Sequence, residues 1–228
     1  MPARLLLILL MLAPLAAEAS GRDDKLHLFV LSGQSNMVAL DPEEIFIPTV
    51  KAAFPDDEIV VAKFARDGRT IESWVTLKEG GEPRAEALLK AVVDEINKQL
   101  GNRTPHTITF VWMQGERDAQ WGLGDKYAAS LQGLEKLLME ELGIIDMYTV
   151  IGRLSDLGVE KPNEFPDWNQ IREIQVAFAE ASPNRAWVNT DDLNETGDGL
   201  HYDAEGRNAL GSRFAEAVVT LLKDDSGS

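Results

Sequence analysis

Five short apolar runs punctuate the chain: Leu26–Leu31, Glu58–Phe64, Thr107–Met113, Met147–Arg153 and Arg185–Asn189. The first alternates poorly between apolar and polar positions, which predicts a strand buried on both faces. Between the runs, apolar residues step at helical spacing instead. Leu88, Val92, Ile96 and Leu100 predict one helix, with Pro83 near its start and Gly101 as its stop. Leu131, Leu134, Leu138 and Leu142 predict a second, ending at Gly143, and Ile171, Ile174 and Phe178 a third. The last runs from Ala204 to about Leu222, with Asp203 as its N-cap. Ile45 to Phe54 carries a further helical pattern, interrupted by Pro48. Alternating βα units predict a parallel sheet with helices on both faces. The expected fold is therefore α/β, a three-layer α/β/α sandwich around a five-stranded parallel sheet in flavodoxin-like order.

The pattern before Leu26 differs. Arg4, the apolar stretch Leu5 to Ala17 and the small-x-small site Ala17-Glu18-Ala19 read as a cleavable leader over residues 1–19. That stretch is shorter than the roughly 20 residues needed to span a bilayer. The expectation is a secreted or periplasmic protein without stable membrane insertion, with one domain over 20–223 and a disordered tail over 224–228. The chain has no cysteine, so an exported form would have neither disulfides nor a lipid-modified cysteine. About 200 residues suffice to hold one domain by its core alone. The formal net charge is -16, and loss of Arg4 and Glu18 together leaves it unchanged. So acidic a surface argues against nucleic acid and anionic lipid as partners.

In open parallel sheets ligands bind beyond the carboxyl ends of the strands. Polar and glycine residues gather after four of the five runs: Gly33-Gln34-Ser35-Asn36-Met37, Arg66-Asp67-Gly68-Arg69-Thr70, Gln114-Gly115-Glu116-Arg117-Asp118, and Asp198-Gly199-Leu200-His201-Tyr202. Ser35 is the candidate nucleophile, which needs a base, an orienter for that base, and donors for an oxyanion. Of the three histidines, His27 lies eight residues before Ser35 on an extended run, roughly 26 Å away at about 3.3 Å per residue. His106 opens the third run and has the same defect, which leaves His201 as the base. Asp198, three residues before it, is the first candidate to orient the imidazole; Glu116 is the alternative acid. The Ser35 N–H, the Gly68 N–H and the Gln114 side-chain amide are candidate oxyanion donors. The lipase elbow G-x-S-x-G is not matched, since Met37 stands where the second glycine would be.

With these blocks assembled, the chain resembles the SGNH hydrolase superfamily. More narrowly, it is similar to the sialate O-acetylesterase-like proteins that include carbohydrate esterase family six. Gly33-Gln34-Ser35-Asn36-Met37 stands as the nucleophile motif, Trp112 to Asp118 as the tryptophan–glutamine–glycine–glutamate block, and Asp198-Gly199-Leu200-His201 as the aspartate-x-x-histidine block. The resemblance implies Ser35 as nucleophile, His201 as base, Asp198 as orienter, and an oxyanion hole from Ser35, Gly68 and Gln114. It implies hydrolysis of O-acetyl groups on sugars through an acetyl-enzyme, with an acetylated carbohydrate as substrate and no metal or organic cofactor. Some relatives use the glutamate matching Glu116 as the acid. Two departures stand out: Asp67 precedes Gly68 where many relatives carry two glycines, and the chain is short for this branch, which suggests trimmed loops and an open cleft.

Further candidates concern the substrate. Trp74 and Trp121 are of the type that stacks on sugar rings, and Tyr202 adjoins the base. Arg69, Arg117 and Arg153 could meet a sugar carboxylate or pair with the chain's own acids. Three other functions compete with a sugar acetylesterase. Asp192, Asn194, Thr196, Gly197, Asp198 and Asp203 fall at EF-hand-like positions, though the twelfth is Asp rather than Glu. A degenerate hydrolase serving only to bind carbohydrate is a second, and a lipase or thioesterase of the same superfamily a third.

Overall fold

The computed structural model describes residues 24–159, 161–194 and 198–225. The segment read as a leader, residues 1–19, lies outside them, as do residues 226–228 of the expected tail. Strands β1 (Leu26–Gly33), β2 (Glu58–Ala65), β5 (Thr107–Met113), β6 (Tyr148–Gly152) and β7 (Arg185–Val188) form one parallel sheet in the order β2-β1-β5-β6-β7. Counted along the chain as five strands, this is the 2-1-3-4-5 order of flavodoxin-like sheets. Between β2 and β5 the chain also forms a small antiparallel hairpin, β3 (Val75–Leu77) and β4 (Pro83–Ala85).

Every residue of β1 is buried, as its largely apolar run requires of a central strand covered on both faces. Leu28, Phe29, Val30 and Leu31 are fully buried, each contributing about 1.5–3 kcal/mol of transfer free energy. Helices α2 (Phe46–Ala53) and α7 (Ala204–Asp225) pack together on one face, and α3 (Ala87–Leu100), α5 (Gly124–Leu142) and α6 (Trp168–Glu180) cover the other. Gly143 ends α5 in the left-handed conformation. Asp203 accepts a bond from the Gly206 N–H at 2.8 Å, the cap expected for α7.

Three local readings change. Pro83 opens the hairpin's second strand rather than α3, which starts at Ala87. Pro48 does not break α2, because it sits in the first turn, where a missing N–H costs nothing. Residues 224 and 225 continue α7 instead of leaving it. Among the described residues no helix is long and apolar enough to cross a membrane.

Candidate active site

The loop carrying Ser35 is set by a collision that only glycine avoids. Gly33 ends β1 at φ 143°, and a Cβ there would lie 1.9 Å from the Met113 carbonyl oxygen. That close approach lets the Gln34 N–H donate to the same oxygen at 2.9 Å, extending the β1–β5 ladder by one bond. Ser35 then opens the short helix α1 (Ser35–Ala39) at the carboxyl edge.

A cleft of about 440 Å³ lies over this edge, lined by Gln34, Ser35, Asp67, Gly68, Glu116, Arg117, Gln120, Phe165, Leu200 and His201. Four strand exits, distant in sequence, thus meet in one place. His27 is at the other end of the sheet, buried, bonded to Thr107 at 2.7 Å and to Asp57 at 3.0 Å. His106 also lies there, immediately before β5.

His201 sits on the loop before α7 with its ring half exposed. Its Nδ1 lies 2.7 Å from Asp198 Oδ2, while Asp198 Oδ1 accepts the backbone N–H of Leu200 at 2.9 Å and of His201 at 2.8 Å. These bonds, first the one from the His201 backbone N–H, hold the Asp198 carboxyl down at about 2. An ionised carboxylate only accepts, so Nδ1 carries the proton and Nε2 is left as the basic nitrogen.

Glu116 is differently placed. It begins the short helix α4 (Glu116–Gln120), and is 4% exposed. Burial pushes its carboxyl up to about 7. Oε1 accepts from Asn36 Nδ2 at 3.0 Å, and Oε2 is buried with no partner among the described residues. The acid bonded to the imidazole is therefore Asp198; Glu116 is bonded to the residue after Ser35.

Asn36 has no role in the sequence reading beyond its place in the motif. Its side chain is nevertheless a strut between three exits. Besides Glu116, Nδ2 donates to Leu200 O at 3.0 Å and Oδ1 accepts from the Tyr202 N–H at 3.1 Å. Asp118 is the other residue missed. Burial raises its carboxyl to about 6, and it accepts the Ile71 N–H at 3.1 and 3.2 Å. A buried carboxylate needs such donors, but nothing local in the sequence says which loop supplies them.

Gln114 requires a correction. Its side chain is fully buried and does not line the cleft. Nε2 donates to Arg69 O at 2.9 Å and to Asp118 Oδ2, so both amide protons are committed away from any oxyanion. What Gln114 does instead is tie the loop carrying Gly68 to β5. Gly68 itself lines the cleft at φ 60°, a left-handed conformation, and a Cβ there would meet Arg117 Nη2 at 3.1 Å.

The aromatic candidates separate. Trp74 is fully buried, packed edge-on against Trp112 at 5.1 Å, and is core rather than a sugar platform. Tyr202 is also core: it is 3% exposed and its hydroxyl donates to Thr190 at 3.0 Å. Trp121, at the end of α4, is 62% exposed with the Arg117 guanidinium 5.4 Å from its ring.

Among the arginines, Arg69 is exposed but does not line the cleft, and Arg153 is paired with Asp191. Arg117 lines the cleft, donates to Gln120 Oε1 at 2.6 Å and has no carboxylate partner among the described residues. The EF-hand-like residues are otherwise engaged. Asp192 pairs with Arg213, Asn194 donates to Asp156, and Asp198 holds His201. Thr196 and Gly197 lie outside the described residues.

A family model described as carbohydrate esterase, sialic acid-specific acetylesterase, matches residues 38–220. No curated protein matches the chain in sequence. Several solved structures share its fold. A protein from Arabidopsis thaliana has a TM-score of 0.66 at 19% identity, over 85% of this chain and 98% of that one. A carbohydrate acetylesterase from Xanthomonas citri has a TM-score of 0.61 at 16% identity, over 86% of this chain and 56% of that one. A carbohydrate acetylesterase from Sinorhizobium meliloti has a TM-score of 0.52 at 13% identity, over 87% of this chain and all of that one.

Proposed function

The chain belongs to the carbohydrate esterase, sialic acid-specific acetylesterase family, within the SGNH hydrolase superfamily, and on that premise we propose that it removes O-acetyl groups from sugars by acyl transfer through Ser35. The observation that carries this reading is the meeting of Ser35 and His201 on one cleft, with the Asp198 carboxylate 2.7 Å from His201 Nδ1.

His201 Nε2 takes the hydroxyl proton as Ser35 Oγ bonds to the acetyl carbon. The carbonyl π electrons move to oxygen, and the Ser35 and Gly68 N–H groups receive the resulting charge. As the intermediate collapses, the C–O bond to the sugar breaks and the imidazolium returns its proton to the departing sugar oxygen. Water, deprotonated by the same nitrogen, then attacks the acetyl-enzyme; acetate leaves and Ser35 Oγ regains its proton. Asp198 holds the imidazole's tautomer and faces its charge throughout. Each step uses only these side chains and water.

Acetylated xylan and O-acetylated sialic acid both fit an open cleft bordered by Arg117. The exposed ring of Trp121, just past the end of α4 with the cleft-lining Arg117 guanidinium 5.4 Å from it, is the stacking surface this reading offers the sugar. The leader read over residues 1–19 would deliver the enzyme to the periplasm or beyond.

The test is acetate release from acetylated xylan, acetylated pectin and O-acetylated sialic acids. Release from at least one, abolished in Ser35→Ala with the fold intact, is expected. Preference for long acyl chains would point instead to a lipase or thioesterase.

A further inference from the structure

In a chain with 38 Asp and Glu against 22 Lys and Arg, an arginine with no carboxylate beside it is a departure. Arg84, Arg103, Arg153, Arg172, Arg185 and Arg213 each pair with an Asp or Glu. Arg66, Arg69 and Arg117, on the exits of β2 and β5, have no carboxylate partner among the described residues. The exit loop of β2 is fixed through its backbone instead. The Arg66 N–H donates to Gly33 O at 2.9 Å, and Arg69 O accepts from Gln114 Nε2 at 2.9 Å. Both side chains stay exposed, with the Arg66 guanidinium 5.5 Å from the Phe64 ring. Arg117 lies against the same loop, since a Cβ on Gly68 would meet its Nη2 at 3.1 Å. The three thus belong to one surface, running from the cleft toward β2, the outer strand of the sheet. The acids beside it are Asp67, exposed on that loop, and Glu116, buried in the cleft; Glu72 is drawn off by Lys126 at 3.7 Å. Three guanidinium charges against at most two carboxylates leave this surface positive, in a chain whose net charge is -16.

We propose that Arg66, Arg69 and Arg117 form a binding surface for the carboxylates of an acidic polysaccharide, so that the substrate is an acetylated chain of uronic acid residues. The proposal rests on the acyl-transfer reading of the cleft and names its substrate class. A guanidinium fork meets a carboxylate with two parallel hydrogen bonds. A single acidic sugar brings one carboxylate, which one arginine can satisfy. A polyuronide brings one carboxylate per residue, which suits guanidiniums spread over two exits. The ring of Trp121, 5.4 Å from the Arg117 guanidinium, adds an apolar face for a sugar ring. The acidic remainder of the protein repels a polyanion only over a short range, since fields are screened beyond about 8 Å at physiological ionic strength. Direct contacts at the arginines escape most of that screening. No covalent bond changes at this surface; it holds the chain while Ser35 acts on the ester.

Oligogalacturonate without acetyl groups probes this surface apart from turnover. It should inhibit hydrolysis of 4-nitrophenyl acetate competitively, with a Ki about tenfold or more below that of its fully methyl-esterified form, which has the same sugars without the charge. The informative variant carries Arg66→Gln and Arg69→Gln together. Both side chains are exposed and without carboxylate partners among the described residues, so the urea midpoint should hold. In that variant the Ki of oligogalacturonate should rise about tenfold, while the Ki of the methyl ester stays in place. Equal inhibition by oligogalacturonate and its methyl ester in wild type overturns the proposal. So does inhibition by N-acetylneuraminic acid that matches the oligomer's and falls as far in the double variant, which would mark a site for one carboxylate. If wild type hydrolyses no 4-nitrophenyl acetate, the acyl-transfer reading falls and this proposal with it. If wild type is active and oligogalacturonate does not inhibit it, only the proposal falls.

Discussion

Asn36 grips His201 from both sides without touching its ring: the Asn36 amide donates to Leu200 O at 3.0 Å and its carbonyl accepts from the Tyr202 N–H at 3.1 Å. The residue after Ser35 thereby fixes the loop that carries His201. Asn36→Ala strands those two backbone groups and the Glu116 carboxylate in a site where Asn36 itself is 2% exposed. The expected cost is about 1–3 kcal/mol of stability from unpaired buried groups. Because His201 is freed to wander, kcat should fall by roughly tenfold or more. Urea unfolding and steady-state kinetics on one preparation check both; a stability loss with kcat untouched would show that the loop holds its place unaided.

The two acids can be told apart by their partners. Asp198 is bonded to the imidazole and Glu116 to Asn36. Asp198→Asn turns an acceptor-only group into one that can impose the wrong tautomer on His201. It should lower kcat by about 10² or more, and Glu116→Gln by clearly less. The reverse ranking would assign the orienting role to Glu116.

Glu116 also makes stability depend on pH in an unusual direction. Its carboxyl is raised from 4.5 to about 7 by burial. Below pH 4.5 folded and unfolded chains both hold this proton. Between 4.5 and 7 the folded chain holds it and the unfolded chain releases it, so stability declines as pH rises through that window. Asp118, raised from 3.8 to about 6, adds a decline of the same sign. For Glu116 the upper bound is about 3 kcal/mol. Glu116→Gln removes the Glu116 part, so its stability relative to wild type should be greater at pH 8 than at pH 5 in urea unfolding. An advantage independent of pH would show that the carboxyl is not so raised.

Gly33→Ala should be among the most damaging single-atom changes in the chain. The added Cβ would sit 1.9 Å from the Met113 carbonyl oxygen, at a φ of 143° that side chains avoid. Neither central strand can move aside without breaking the ladder, so a loss beyond about 4 kcal/mol is expected, read as insoluble expression or a collapsed denaturant midpoint. Near-normal stability would mean that the β1–β5 edge is less tightly joined.

The sheet and its main helices were legible because long, periodic segments carry their own signal. β1 is apolar but for His27, Ser32 and the terminal Gly33, and α5 steps its leucines at helical spacing. The hairpin was not legible: three-residue strands, one opening on Pro83, hold no period. Nor were α1 and α4, whose five residues each are too few to show a face. At the site, the blocks were found because residue type and chain position suffice to place a loop at the carboxyl edge. What a side chain on such a loop touches depends on other loops. Trp74 and Tyr202 look like surface aromatics in sequence, and only tertiary burial makes them core. Gln114 carries the right chemistry for an oxyanion, but Arg69 and Asp118, converging from other positions, claim its amide first. Asn36 was in view within the motif, yet its three partners lie 80 to 166 residues away.

The most direct measurement is intact-mass and peptide analysis after treatment with a fluorophosphonate, which labels an activated serine. A single adduct on the peptide carrying Ser35, absent from both Ser35→Ala and His201→Ala, is the predicted result. An adduct at another serine, or labelling of Ser35 that proceeds at the wild-type rate in His201→Ala, would contradict the account.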